Sequence, residues 1–113
     1  LNAWTDAVDL AQQIYRVTER FPSNEQFGLT SQIRRAAVSI PSNVAEGAAR
    51  QTKKEFLQFI HISKGSLSEL DTQLELARRL EYLTQIEWES LNELLKRVDR
   101  MLSGLIRHLR AKR

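Results

Sequence analysis

The sequence predicts an all-α protein, an up-down-up-down four-helix bundle that forms a single domain over residues 1–113. Three observations carry this. Apolar residues recur at spacings of three and four along every long segment and never alternate at two, which is the pattern of amphipathic helices and not of strands. Two segments open on capping boxes, TKKE at 52–55 and TQIE at 84–87, in which a threonine and a glutamate three residues on satisfy free N–H groups of a first turn. Helix breakers are scarce: two prolines and four glycines leave little chain for linkers.

The first helix is expected over residues 3–21. Trp4, Ala7, Ala11, Ile14, Thr18 and Phe21 share one face, which Val8, Leu10, Tyr15 and Val17 widen to about half the circumference. Asn2 is placed to cap it, and Pro22 ends it, because the residue before a proline is pushed out of the α region. After the loop PSNEQFG, Thr30 is placed to cap a second helix over 30–50, with Ile33, Ala37, Ile40, Val44 and Ala48 as its core stripe.

Pro41 falls inside that stripe. Its ring removes one hydrogen bond and crowds the carbonyl of Ala37, at a cost of ~3 kcal/mol. Yet the stripe keeps its phase from Ile40 to Val44, which a full break would make a coincidence. The expectation is one helix kinked at Pro41, with Ser39, Ser42 and Asn43 offering side-chain hydrogen bonds to freed backbone groups.

The third helix is expected over 53–82, with Phe56, Ile60, Ser63, Leu67, Leu70, Leu74 and Ala77 facing the core. The fourth is expected over 85–111, with Trp88, Leu91, Leu95, Val98, Leu102, Leu105 and Leu109. Alternating steps of four and three are the seam pattern of helices that cross near +20°, as in four-helix bundles.

Several apolar residues lie off these core faces. Ile62, Leu76 and Leu80 form a side stripe on the third helix, and Val38, Pro41, Ala45 and Ala49 form one on the second. Aligned stripes of this kind suggest a contact between copies of the chain, so a homo-oligomer is expected.

Charge is also unevenly placed. The net charge is +3, and from Lys96 onward seven basic residues meet a single acid, Asp99. Lys96, Arg100 and Arg107 share an outward stripe on the fourth helix, flanked by Arg97 and Arg110. Arg34, Arg35, Arg50, Lys53 and Lys54 cluster around the ends of the second helix and the turn after it. These eight, without the flanking pair, are the candidate phosphate contacts of an RNA or DNA backbone. Against that, cations suit a helix C-terminus, and Glu93–Arg97 and Glu75–Arg79 have the spacing of solvated ion pairs. No aromatic interleaves with these bases on an outward face, so no base-stacking platform is expected, and shape and phosphate contact would dominate.

Catalytic patterns are missing. His61 and His108 sit beside basic residues with no carboxylate at ligand spacing, so neither reads as a general base or a metal ligand. The Glu-x-x-His motif of di-metal bundles does not occur. The glycines are too scattered for a phosphate loop, and the serines of GSLSEL have no base partner. The expectation is a protein that is not an enzyme and holds no metal or cofactor. With no cysteine there are no disulfides, which suits the cytoplasm. No apolar run approaches a membrane span, and the first residues lack the basic start of a signal peptide. The chain begins at Leu1 and not at Met, so its natural N-terminus is left open.

FGLTSQIRRAAVSIPSNVAEG at 27–47, followed by EFLQFIHISKGSLSELDTQLELARRLEYL at 55–83, resembles the 23S rRNA intervening-sequence protein family. The resemblance runs from about Trp4 to Leu83, and the fourth helix matches in character only. It implies a small four-helix bundle encoded within insertions of bacterial ribosomal RNA genes. It also implies kinship with the accessory variability proteins of diversity-generating retroelements, which form pentameric barrels and bind nucleic acid and a reverse transcriptase. No catalytic residues follow from it. The resulting expectation is a non-enzymatic homopentamer associated with RNA or DNA. The rival is an adaptor that docks a larger enzyme such as a reverse transcriptase.

Overall fold

Short connections force each helix to run antiparallel to its chain neighbours, and the structure, a computed structural model, describes residues 1–111 in that arrangement. Helix α1 spans Asn2–Thr18, α2 Leu29–Ala48, α3 Lys53–Arg79 and α4 Gln85–Ala111, with a short 3-10 turn at Ser23–Glu25. Each of α1 and α3 packs on both α2 and α4, and the diagonal pairs do not approach; the α2–α3 seam is the most extensive. The bundle is 47 Å long. Its core is filled by aliphatic side chains from all four helices, with Leu10, Ile14, Ile33, Ile40, Ile60, Leu70, Leu91 and Leu102 fully buried.

Both threonines cap their helices, and the box is reciprocal at 84–87. The Glu55 N–H donates to Thr52 Oγ1 at 3.1 Å, and the Glu87 N–H to Thr84 Oγ1 at the same distance. Glu87 returns the bond, accepting from the Thr84 N–H at 3.0 Å. The other two expected caps are not used. Asn2 lies inside α1, whose N-cap is Leu1 without a side-chain bond. Thr30 lies inside α2 behind Gly28, and the Leu29 N–H is instead caught by Glu25 Oε1 from the preceding turn at 3.1 Å.

Two helices stop short of their expected ends. In α1 the Thr18 hydroxyl bonds back to the Ile14 carbonyl at 2.7 Å, and Phe21 is buried beyond the helix with its ring 5.4 Å from that of Tyr82. Helix α3 ends at Arg79, not at residue 82, because Glu81 turns to a positive φ of 65°. The Tyr82 N–H then reaches back to Ala77 O at 2.9 Å and the Glu81 N–H to Arg78 O at 3.0 Å, a Schellman closure. A side chain in the left-handed region costs about 1–2 kcal/mol. Glu81→Gly is therefore expected to raise the unfolding free energy by about 0.5–1 kcal/mol, after the extra freedom of glycine in the unfolded chain is discounted. A urea unfolding midpoint checks this; an unchanged or lowered midpoint would contradict it.

The core faces are rotated slightly from their expected centres. Ala3, Leu10 and Ile14 face inward on α1, which leaves Trp4 exposed, and Gly47 replaces Ala48 as the inward residue of α2. Ile106 is buried on α4 alongside the expected stripe. Helix α2 runs unbroken through Pro41. That continuity is observed, whereas a kink is not part of the observation. Around Pro41, Asn43 Nδ2 donates within α2 to Ser39 O at 2.8 Å, and two bonds tie α2 to α3: the Ser39 and Ser66 hydroxyls share a hydrogen bond at 2.8 Å, and the Ser63 hydroxyl donates to Ile40 O at 2.9 Å.

Candidate nucleic-acid interface

The core stripe of α4 runs through Leu91, Leu95, Val98, Leu102 and Leu109, which turns the opposite face of the helix to water. Lys96, Arg100 and Arg107 occupy that face and are exposed. Among the described residues none of the three is held in an ion pair. They span ~16 Å of helix at 1.5 Å per residue. Arg97 beside them pairs with Asp6 Oδ2 of α1 at 3.2 Å, and not with Glu93 as its spacing suggests. Arg110 Nη2 lies 3.4 Å from His61 Nε2 of α3.

Arg107 shares its end of the bundle with the α2–α3 turn. Lys53, Lys54, Leu57, Leu109 and Arg110 line a cavity of about 420 Å³ there. Arg50 belongs to the same turn but is engaged, paired with Glu46 at 2.9 Å and laid over the Phe59 ring at 4.8 Å. The nearest acid of the turn, Glu55, is drawn into the Thr52 cap.

Arg34 and Arg35 stand apart, ~24 Å up α2 from Arg50. The structure therefore does not gather the eight candidate cations into one patch. Arg34 clasps α1 to α2: its guanidinium lies 4.6 Å over the Tyr15 ring, Nε donates to Thr18 Oγ1 at 2.8 Å, and Nη2 donates to Tyr15 O at 3.3 Å. Arg35 is exposed and has no ion pair among the described residues. The expected absence of aromatics beside the bases is overturned here. Tyr15, Phe27, Ser31, Arg34 and Arg35 line one hollow of about 310 Å³. Helical spacing could not show this, because Tyr15 comes from another helix and Phe27 from a turn.

Cations at the α3–α4 turn are neutralised. Glu75 accepts from Arg78 at 2.7 Å and Arg79 at 2.9 Å, and these hydrogen bonds, Arg78 foremost, draw its carboxyl down to about 2. Arg20 of the α1 end pairs with Glu87. Tyr82 donates to Glu25 Oε2 at 2.9 Å, and that bond holds its phenol above the usual value. The contrast is clear. The α3–α4 turn is charge-balanced by pairing, while the C-terminal half of α4 is not.

The apolar side stripes fall on two different faces. Val38, Ala45 and Ala49 follow Arg34 at helical spacing and so lie on the α1 side of α2, where α1 exposes Trp4 and Val8. Pro41 is buried within the chain and leaves that stripe. Ile62, Leu76 and Leu80 are about half exposed on α3. They share a ridge with Ser66 and Glu69, and Glu69 lines the α2–α3 groove with Arg35 and Ser39.

Among the described residues no group of three or more His, Asp or Glu side chains is placed to hold a metal ion, and no helix is long and apolar enough to cross a membrane. Fold and surface define a small antiparallel four-helix bundle that, among the described residues, exposes cations without ion pairs on α4 and at Arg35 of α2, and apolar side chains on two faces. The chain belongs to the 23S rRNA-intervening sequence protein family, whose model matches residues 1–104. It is similar to a crystal structure of a protein of unknown function from the S23 ribosomal protein family of Bacteroides thetaiotaomicron. The two share 25% sequence identity and a TM-score of 0.83, over 92% of this chain and 97% of that one. No curated protein matches it.

Proposed function

We propose that this protein is a non-enzymatic, ring-forming bundle that associates in the cytoplasm with the backbone of RNA or DNA. The observation that carries the reading is the stripe of Lys96, Arg100 and Arg107, exposed on one face of α4 without ion pairs among the described residues. Cations not engaged in ion pairs are what phosphate binding requires, since each phosphate they neutralise releases a counterion. A net charge of +3 attracts weakly in one chain. In a ring the same stripe repeats in every subunit, and the attractions add.

Two different apolar faces suit a ring better than a two-fold dimer, because a cyclic assembly joins one face of a subunit to another face of the next. Five subunits are favoured by the resemblance to the accessory variability proteins. The stripe of Val38, Ala45 and Ala49 would meet that of Ile62, Leu76 and Leu80. Ala45→Glu or Ile62→Glu is expected to dissociate the ring, since a carboxylate between apolar faces is left unsolvated and unpaired. Light scattering reads the mass, and a wild-type protein that is monomeric at micromolar concentration would end this part of the reading.

The nucleic-acid part is tested by retention of labelled RNA and DNA at low salt, with affinity falling steeply as salt rises. The second reading is an adaptor that docks a larger enzyme such as a reverse transcriptase, favoured by the exposed Trp4 and Val8 beside Val38 and Ala45. Docking through such a face would change little with salt.

A further inference from the structure

Phe27 is 91% exposed, more than any other large apolar side chain among the described residues. A loose turn does not explain this, because the turn is fastened on both sides of it. The Gln26 N–H bonds to Ser23 O, the Gly28 N–H bonds to Glu25 O, and the Glu25 carboxylate holds both the Leu29 N–H and the Tyr82 hydroxyl. The ring is thus presented to solvent by an anchored scaffold.

What surrounds it is equally specific. The Arg34 guanidinium is set against Tyr15 and spends two of its donors on α1, which fixes its plane and leaves the rest of its five N–H groups available. Arg35 follows it, exposed and without an ion pair among the described residues. Gln26 and Ser31 add neutral donors and acceptors, and no carboxylate lines the hollow. Its volume of about 310 Å³ lies at the small end of ligand pockets. An aromatic face, one fixed guanidinium with a second, exposed one beside it, and neutral hydrogen-bonding side chains are the set that recognises an unstacked base and its phosphates.

We infer that this hollow receives one base of a single-stranded nucleic acid, stacked on Phe27, with Arg34 and Arg35 on the adjoining phosphates. The inference rests on the nucleic-acid reading above and narrows it to single strands at this end of the bundle. A base inside a duplex is already stacked on both faces and cannot enter. The site lies at the opposite end of the bundle from Arg107, so its contribution is separable from that of the α4 stripe.

The test compares wild type, Phe27→Ala, Phe27→Trp, Arg35→Gln and the double variant Lys96→Glu with Arg100→Glu. Each is titrated at low salt with a labelled oligouridine and with a duplex hairpin of equal length, and its mass is read by light scattering. Phe27→Ala is expected to weaken oligouridine binding by about tenfold or more and to leave the hairpin nearly unchanged. Phe27→Trp should retain binding, with its indole emission quenched by the strand. Arg35→Gln should reduce the salt slope for the oligouridine by about 0.7. Oligouridine binding that is indifferent to Phe27→Ala overturns the inference, and the α4 reading survives that result if the Lys96/Arg100 variant still binds weakly. A change of subunit number in Phe27→Ala, with single-strand affinity kept, makes Phe27 a subunit contact and overturns it as well. Wild-type protein that retains neither probe removes both readings together.

Discussion

Gly47→Val is expected to lower the unfolding free energy by about 3 kcal/mol, at the upper end of what overpacking a core costs. The reason lies in how closely α2 and α3 approach. A Cβ at position 47 would come within 2.8 Å of Phe59 Cβ, 2.9 Å of Phe56 Cδ1 and 3.2 Å of the Phe56 carbonyl oxygen. Phe59 Cβ sits at the root of its side chain and cannot swing aside, so the α3 backbone has to move. Gly47→Ala should cost less, about 1 kcal/mol, because alanine recovers some helix propensity against the same clash. Ala48→Val is the control: the neighbouring position is exposed, and a branched residue there costs about 0.5 kcal/mol through propensity alone. Urea unfolding of the three variants separates the causes. Equal losses at 47 and 48 would mean that backbone preference, and not the close seam, explains the glycine.

Elements whose signals are local were legible in the sequence. The threonine–glutamate boxes at 52–55 and 84–87 needed only their own four residues, and both threonines cap the helices they open. The phase of the apolar stripe across Pro41 pointed to a continuous α2, because a helix that buries Ile40 and Val44 on one side has no register left in which to break. The failures share a different cause. Leu29 is capped by Glu25 from a separate turn, Arg97 prefers Asp6 of another helix to Glu93 of its own, and Glu81 adopts a backbone conformation for which glycine is the usual signal. The candidate site divides the same way. The α4 stripe was readable because one helix carries all of it. The Phe27 hollow was not, since its residues come from α1, a turn and α2, and only tertiary packing places Tyr15 under Arg34.

Lys96→Glu combined with Arg100→Glu is expected to reduce binding of RNA or DNA by at least about tenfold at low salt and to flatten its salt dependence. Each phosphate that a cation no longer neutralises lowers the slope of log affinity against log salt by about 0.9 on a duplex. Removing two such cations from every chain therefore shifts the slope by about 2 per chain engaged. Reversal adds repulsion on top of the missing attraction, so the effect on affinity exceeds that of two alanines. Both side chains point away from the buried Leu91, Leu95 and Val98, so the helix content and unfolding midpoint should stay near wild type. That separation makes the result interpretable. The matching double reversal at Arg34 and Arg35 lacks it, because Arg34 also clasps Tyr15 and Thr18 and its removal would loosen α1. Arg35→Glu alone is the cleaner companion, since that residue has no ion pair among the described residues to break. If the α4 double variant and Arg35→Glu both bind as wild type does, the basic residues serve solvation and the helix dipole, and the adaptor reading takes the lead.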